Sequence, residues 1–336
     1  MMATESRSNQ ASPPGAARVL LASPEALTTL FLIVAFGACA AAVPRFMDAA
    51  YLTDRACLYV ETGIVALGMT FVIVGGYIDL SCASILALVA AACAIADARF
   101  GLSMGATLAV ASLLGAVLGG LNGWLVAQLG LPSLVVTLAT MAVYRGLAQV
   151  LLGEHSQPLP QDMSGIDRYT FLGLPVPLVA LAVLAVLLGV VLHRTVFGRW
   201  VQAMGTSAPA ARYAGIPIAR TTIGVFVLNG VLSALAGLLM ASRLGVARYD
   251  HALGLELDAI TAVVLGGTSI FGGRGTIVGT VVALALVATI QTGMGVANIK
   301  SEYQQTANGA LLIVAVLFSN LSSRWRANRT PRTGKV

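Results

Sequence analysis

Few side chains in this sequence could do chemistry, and they are scattered. The carboxylates Asp79 and Asp258 and the guanidinium of Arg145 lie inside or at the edge of long apolar stretches. An ionisable group at mid-bilayer costs about 2.5–3.5 kcal/mol on insertion scales, so each needs a partner or a role. Glu61, Ser81, Asn122, Asn229, Thr261 and Gln291 add neutral and acidic polarity to the same stretches. Two readings of the set are open: the residues line or gate a polar pathway, or they are structural. On the structural reading Asp79 caps the helix starting near Ser81, as an aspartate ahead of an apolar helix commonly does, and Arg145 pairs with a carboxylate or with backbone carbonyls. His155, His193 and His251 lie in or beside polar connections, with no Cys or Ser nucleophile nearby in sequence and no H-E-x-x-H. No catalytic or metal centre is expected from them. Cys39, Cys57, Cys82 and Cys93 lack ligand spacing and read as small packing residues. The chain has no G-x-x-x-x-G-K-[ST] phosphate cradle, so no cofactor is expected and any ATP would be bound by a separate chain.

The elements that must hold these residues are apolar helices. Hydrophobic residues make up 57% of the 336 and charged residues 10%, against about 25% charged in an ordinary soluble domain. Stretches long enough to approach a span of about 20 residues recur from Ala26 to Leu321. The expected fold is an all-α integral membrane protein of about ten transmembrane helices, some short or broken. They run from Ala26 to Val43, Cys57 to Gly76, Cys82 to Ala98, Leu102 to Val126, Pro132 to Leu152, Leu174 to Leu192, Thr222 to Leu244, Leu257 to Ile270, Thr276 to Met294 and Gln305 to Leu321. The breaks are expected near Gly75 and Gly266, a placement tolerated only where protein or a water-filled cavity covers the freed backbone groups. Residues 1–22 read as a disordered cytoplasmic tail, 23–321 as the membrane domain, and 322–336 as a basic cytoplasmic tail. The apolar run from Ala26 is longer than a usual secretory-signal core.

Charge fixes an orientation. With both termini cytoplasmic, Arg194, Arg199, Arg212 and Arg220 of the central connection and the basic C-terminal tail all lie inside, as the positive-inside rule requires. The net charge of +6 therefore reports orientation in a membrane, not nucleic-acid binding. Close helix contacts are expected at Gly101/Gly105, Gly115/Gly119 and Gly275/Gly279, because small residues let helices approach where lipid gives no hydrophobic drive. In the central connection, Ala208 to Ala214 followed by Gly215-Ile216-Pro217 reads as a short helix stopped by glycine.

Three segments resemble the sugar-type permeases of ABC importers, the ribose, arabinose, xylose and rhamnose group. They are Val74 to Ser81 (VGGYIDLS), the stretch from Ala203-Met204-Gly205 to Ile216, and Ala259 to Thr276 (AITAVVLGGTSIFGGRGT) with Gly279-Thr280. The resemblance covers about Leu30 to Leu321. It implies a sugar-import ATPase subunit on the cytoplasmic side, a second permease chain, identical or paralogous, a periplasmic sugar-binding protein, and surrounding membrane lipid. It also implies that residues 203–217 form the loop that docks on the ATPase, with Ala203, Gly205, Ala211, Arg212 and Gly215 in the contact. Asp79, Ser81, Asn122, Arg145, Asn229, Asp258, Thr261, Gly266 and Gly267 become candidates for the translocation path or its gate. Tyr77 stands where the family commonly has glycine, and Cys82-Ala83 where it has Val-Gly. The stretch Ser242 to Asp250 looks most like the rhamnose branch, with the branch importing furanose-type autoinducers second. A secondary transporter coupled through Asp79 and Asp258 is the reading from a different class.

Overall fold

The computed structural model describes residues 24–42, 46–159, 163–166, 169–300, 302–304, 306–311, 313–314 and 317. The expected tails therefore lie outside the described residues, as do eight of the seventeen residues of the last expected helix, whose nine described residues are helical. Helices dominate: α1 (Pro24–Ala42), α2 (Ala49–Cys57), α3 (Val60–Val74), α4 (Cys82–Phe100), α5 (Met104–Gln128), α6 (Ser133–Leu152), α7 (Val176–Arg194), α8 (Val196–Thr206), α9 (Ala208–Tyr213), α10 (Ile218–Leu244), α11 (Leu255–Leu265) and α12 (Ile277–Val296). Seven of these are long and apolar enough to cross a membrane, and an eighth span results if α2 and α3, bent by 54°, count as one. The count of about ten is not reached among the described residues; α11, with 11 residues, is one of the short helices expected, about 16 Å against a hydrocarbon core of about 30 Å.

α3 and α10 form the centre. All of α3 except Thr62 is buried, the sign of a helix enclosed on every side. α5 lies antiparallel on α10 at very close range: a Cβ on Gly115, Gly119 or Gly230 would run into the facing backbone. The expected Gly115/Gly119 contact is therefore present, and so is that of Gly275/Gly279 against Thr268 and Gly266. Gly101 and Gly105 face open space instead; Gly101 ends α4 in a left-handed turn (φ +60°) and packs on nothing. The outer faces of α5 and α7 present Leu113, Val117, Val186 and Leu187 to the surroundings, as a lipid-facing surface would.

Two elements were not legible as helices. α2 was expected to be part of a connection, yet Asp48 caps it by accepting from the Ala50 amide at 2.9 Å. The polar stretch from His193 was expected to be a loop, but His193 and Arg194 finish α7. α8 follows at once, capped by Thr195 accepting from Gly198 N at 3.2 Å and burying Val201 and Met204. Two two-residue antiparallel ladders, β1 (Gln157–Pro158) with β4 (Val246–Ala247) and β2 (Thr170–Phe171) with β3 (Leu174–Pro175), trim the end of the bundle opposite α8.

Candidate functional site

The chain does not simply pass from α3 into α4. Gly75 closes α3 in right-handed geometry (φ −69°, ψ −7°) and Gly76 reverses direction at φ +84°, a region open to glycine but strained for other residues. Because Gly76 carries the left-handed turn, Tyr77 is accommodated where the family commonly has glycine. Its hydroxyl lies 3.0 Å from Thr222 Oγ1 and its ring 5.8 Å from that of Phe226. Residues 78–81 then run back beside α3 before α4 begins, so α4 starts deep in the bundle, with Cys82 and Ala83 fully buried. The Ile78 amide donates to Ser133 Oγ at 3.2 Å and its carbonyl accepts from Thr137 Oγ1 at 3.3 Å, which ties the returning strand to α6.

Asp79 sits in this segment with no exposure. Its Oδ1 accepts from the Ser81 amide (2.9 Å) and Ser81 Oγ (2.6 Å), and its Oδ2 from Asn229 Nδ2 (2.8 Å). Asn122 Nδ2 donates to Ser81 Oγ at 2.7 Å, and the Tyr144 hydroxyl lies 3.3 Å from Asn122 Oδ1 and 3.1 Å from the Leu118 carbonyl. One connected polar chain therefore joins α10, the break, α5 and α6. Three donors on one carboxylate are what a buried anion requires. Asp79, Ser81, Asn122 and Asn229, expected from sequence, converge here. Tyr144 was missed, since a tyrosine in an apolar helix carries no signal of its own until its hydroxyl finds a buried partner.

The second break repeats the first. Gly266 ends α11 at φ −68°, ψ 0° and Gly267 turns at φ +90°. The amides of Gly266, Gly267 and Thr268 bond the carbonyls of Ala262, Val264 and Val263, as those of Gly75, Gly76 and Tyr77 bond Phe71, Ile73 and Val72. The loop after the second turn meets the first: the Gly273 amide donates to the Val74 carbonyl at 2.8 Å. Between them sits the end of α8, where a Cβ on Gly205 would collide with the Val74 carbonyl and come within 2.6 Å of the Gly273 amide. A Cβ on Gly272 would lie 2.8 Å from the Gly205 carbonyl and 2.9 Å from Gly76 Cα. Three glycine segments, far apart in sequence, thus form one backbone joint. Ala203 is half-buried on the same helix.

Beyond Gly205, the expected short helix is α9. Ser207 caps it, accepting from Ala210 N at 3.4 Å, and Gly215 (φ +80°) ends it. Ala211 is buried beneath it while Arg212 and Gly215 are exposed and Tyr213 is 94% exposed. The helix is a knob facing away from the bundle.

Arg145 lies apart from this joint. Its Nη1 donates to the carbonyls of Tyr249 (2.5 Å) and His251 (2.7 Å), so of the two readings its partner is backbone. It pins the connection between α10 and α11. The Tyr249 hydroxyl bonds Glu154 at 3.1 Å, and Arg248 grips Asp250 through two bonds of 2.8 and 2.7 Å. That fork holds the Asp250 carboxyl below its ordinary pKa. His193 lies away from this region at the end of α7, His155 is exposed next to Glu154, and His251 is buried. No group of three or more His, Cys, Asp and Glu residues suited to a metal occurs among the described residues.

Asp258 stands near the start of α11. Asn308 Nδ2 donates to its Oδ1 at 3.1 Å. It lines a cleft of about 280 Å³ with Leu58, Tyr59, Thr62, Ala262, Leu284, Val287 and Gln291, and another of about 320 Å³ with Leu253, Gly254, Leu257, Thr261, Asn308 and Gly309. Thr261 Oγ1 bonds back to the Leu257 carbonyl at 2.7 Å.

A deep re-entrant start to α4, a half-length α11 and a glycine joint against a projecting helix pair are features of a transport pathway coupled to an external partner. Residues 52–316 match the family described as branched-chain amino acid transport system / permease component. The chain belongs to this family. It is a multi-pass inner-membrane permease subunit of an ABC importer, of the sugar type that its motifs resemble. Similar curated proteins carry the name "Autoinducer 2 import system permease protein LsrD". The chain is 35% identical to that of Photorhabdus luminescens over 302 residues, covering 85% of this permease and 90% of the relative. It is 36% identical to that of Salmonella typhimurium (strain LT2) over 300 residues, 87% and 89% of the two chains. To that of Enterobacter sp. (strain 638) it is 37% identical over 286 residues, 83% and 87%. No solved structure gives a significant match.

Proposed function

We propose that this permease carries a small, uncharged, polyhydroxylated molecule inward, of the furanose-type autoinducer or monosaccharide class, with energy from a separate ATPase. The substrate reading is carried by the likeness, along at least 83% of the chain, to permeases named for autoinducer 2 import. The rhamnose branch, favoured by Ser242 to Asp250 alone, becomes the second choice. The sparse charge of the interior agrees, since a neutral cargo needs hydroxyls and amides and no fixed counter-charge.

On this reading α8, α9 and the connection after them face the cytoplasm, and the knob around Arg212, Tyr213 and Gly215 docks on the ATPase. Closure of an ATP-bound dimer pushes α8, and the joint at Gly205 passes the movement to both glycine breaks at once. A periplasmic binding protein loads the opposite end, and a second permease chain completes the pore. The test is to purify the permease from its native membrane in mild detergent, identify the accompanying chains by mass spectrometry, and measure uptake of labelled autoinducer 2, L-rhamnose and D-ribose in vesicles. An accompanying ATPase with ATP-dependent uptake of one of these supports the proposal. Uptake that ignores ATP and follows a proton or sodium gradient refutes it and leaves the secondary transporter.

A further inference from the structure

We infer that the cleft between α3, α11 and α12 is a way-station for the cargo inside the permease, with Asp258 as its anchoring acceptor. The inference rests on the permease reading and specifies where within it a polyol is held. Four polar side chains, Tyr59, Thr62, Asp258 and Gln291, are half-buried around a floor of buried Ala262, Leu284 and Val287. The volume of about 280 Å³ is the space of one small ring molecule with a little water.

The chemistry of the wall selects the cargo. Asp258 Oδ1 already accepts from Asn308, while Oδ2 has no hydrogen-bond donor among the described residues. A carboxylate edge accepts from vicinal hydroxyls, the Gln291 amide both gives and takes, and the hydroxyls of Thr62 and Tyr59 do either. The Tyr59 hydroxyl and Gln291 Oε1 lie 3.3 Å apart, so the two groups hold each other in place when no hydroxyl sits between them. Neither Lys nor Arg lines the cleft, which disfavours an anion. A carboxylate and its polar neighbours turned toward lipid would be costly, so the cleft belongs to water or cargo.

Position supports the same role. Asp258 also lines the second cleft, with Thr261 and Asn308, so it stands between two clefts. α11 ends in the Gly266–Gly267 turn, the loop after it reaches the α8 joint through Gly272 and Gly273, and Asp258 is eight residues before the turn, about 12 Å along the helix. A shift of α8 therefore reaches the anchoring residue through that loop and the one helix before it.

The experiment uses the whole importer in vesicles, with the three labelled cargoes named above. Uptake and ATP hydrolysis are measured together for Asp258→Asn, Tyr59→Phe and Gln291→Leu. The expected result is a fall of tenfold or more in cargo moved per ATP for Asp258→Asn. A changed preference among autoinducer 2, rhamnose and ribose is expected for the other two. If Asp258→Asn reduces the yield of complex, Tyr59→Phe and Gln291→Leu decide the matter by their cargo preference. An unchanged ratio and preference in the variants overturns the inference while leaving the importer intact. Abolition of a proton or sodium dependence by Asp258→Asn also overturns it, by making Asp258 a coupling-ion site. Absence of ATP-driven uptake in the unaltered protein is the separate result that removes the permease reading.

Discussion

Replacing Gly205 by alanine adds one methyl group at the tightest backbone crossing in the fold. The new Cβ would collide with the Val74 carbonyl and approach the Gly273 amide to 2.6 Å, at the place where that amide donates to that carbonyl at 2.8 Å. Neither neighbour is the flexible end of a side chain, so α8 must move away or the hydrogen bond must open. Overpacking of this kind costs roughly 1–3 kcal/mol, and an opened buried backbone bond adds about 1–3 kcal/mol. The sum, about 2–6 kcal/mol, is a large part of a typical folding free energy. The expected outcome is a permease that still inserts, melts earlier by fluorescence-detected size exclusion, and couples poorly, with cargo moved per ATP reduced at least tenfold. Gly215→Ala separates the effects: nothing lies within 4 Å of that Cβ and the cost is the left-handed φ of +80°, roughly 1–2 kcal/mol. It should leave the joint intact and weaken ATPase docking alone. Wild-type melting and wild-type coupling in Gly205→Ala would refute the reasoning, because they would mean that the three glycine segments do not touch.

The Asp79–Asn229 pair should behave as a matched donor and acceptor. Asp79→Asn alone sets an amide against Asn229 Nδ2 and should destabilise by about 1–3 kcal/mol, whereas adding Asn229→Asp should restore most of the lost melting temperature. Arg145→Leu removes the Nη1 that donates to both carbonyls and leaves them without that donor, so residues 245–254 should exchange amide hydrogens faster while the bundle is unchanged. The Asp250 carboxyl is held below its ordinary value of 3.8 by Arg248. Such a group stabilises above its unfolded pKa and loses the contribution as pH falls through the folded one. Protease resistance of the same connection should therefore be flat from about pH 5 to 8 and fall only below about pH 4.

The amino-acid sequence alone settled the solvent and the class of element. With 10% charged residues and repeated apolar stretches, a helical membrane domain was the physical outcome, because backbone groups in lipid must be satisfied within their own segment. It also marked the breaks at Gly75 and Gly266, since paired glycines in an apolar run signal a chain reversal, and the stop at Gly215. Those signals are local, and local signals survive in one dimension. α8 escaped notice because its polar residues look like a loop until Val201 and Met204 find the bundle to bury against. Gly101 and Gly105 showed the opposite failure, a contact spacing with nothing opposite it. What the tertiary structure alone decided is which distant residues meet. Asp79 reaches Asn229 across 150 residues, Gly205 lies against Val74 and Gly273, and Asp258 shares a cleft with Tyr59 and Gln291. Each of these pairings depends on helix rotation and register, which packing fixes and hydropathy leaves open.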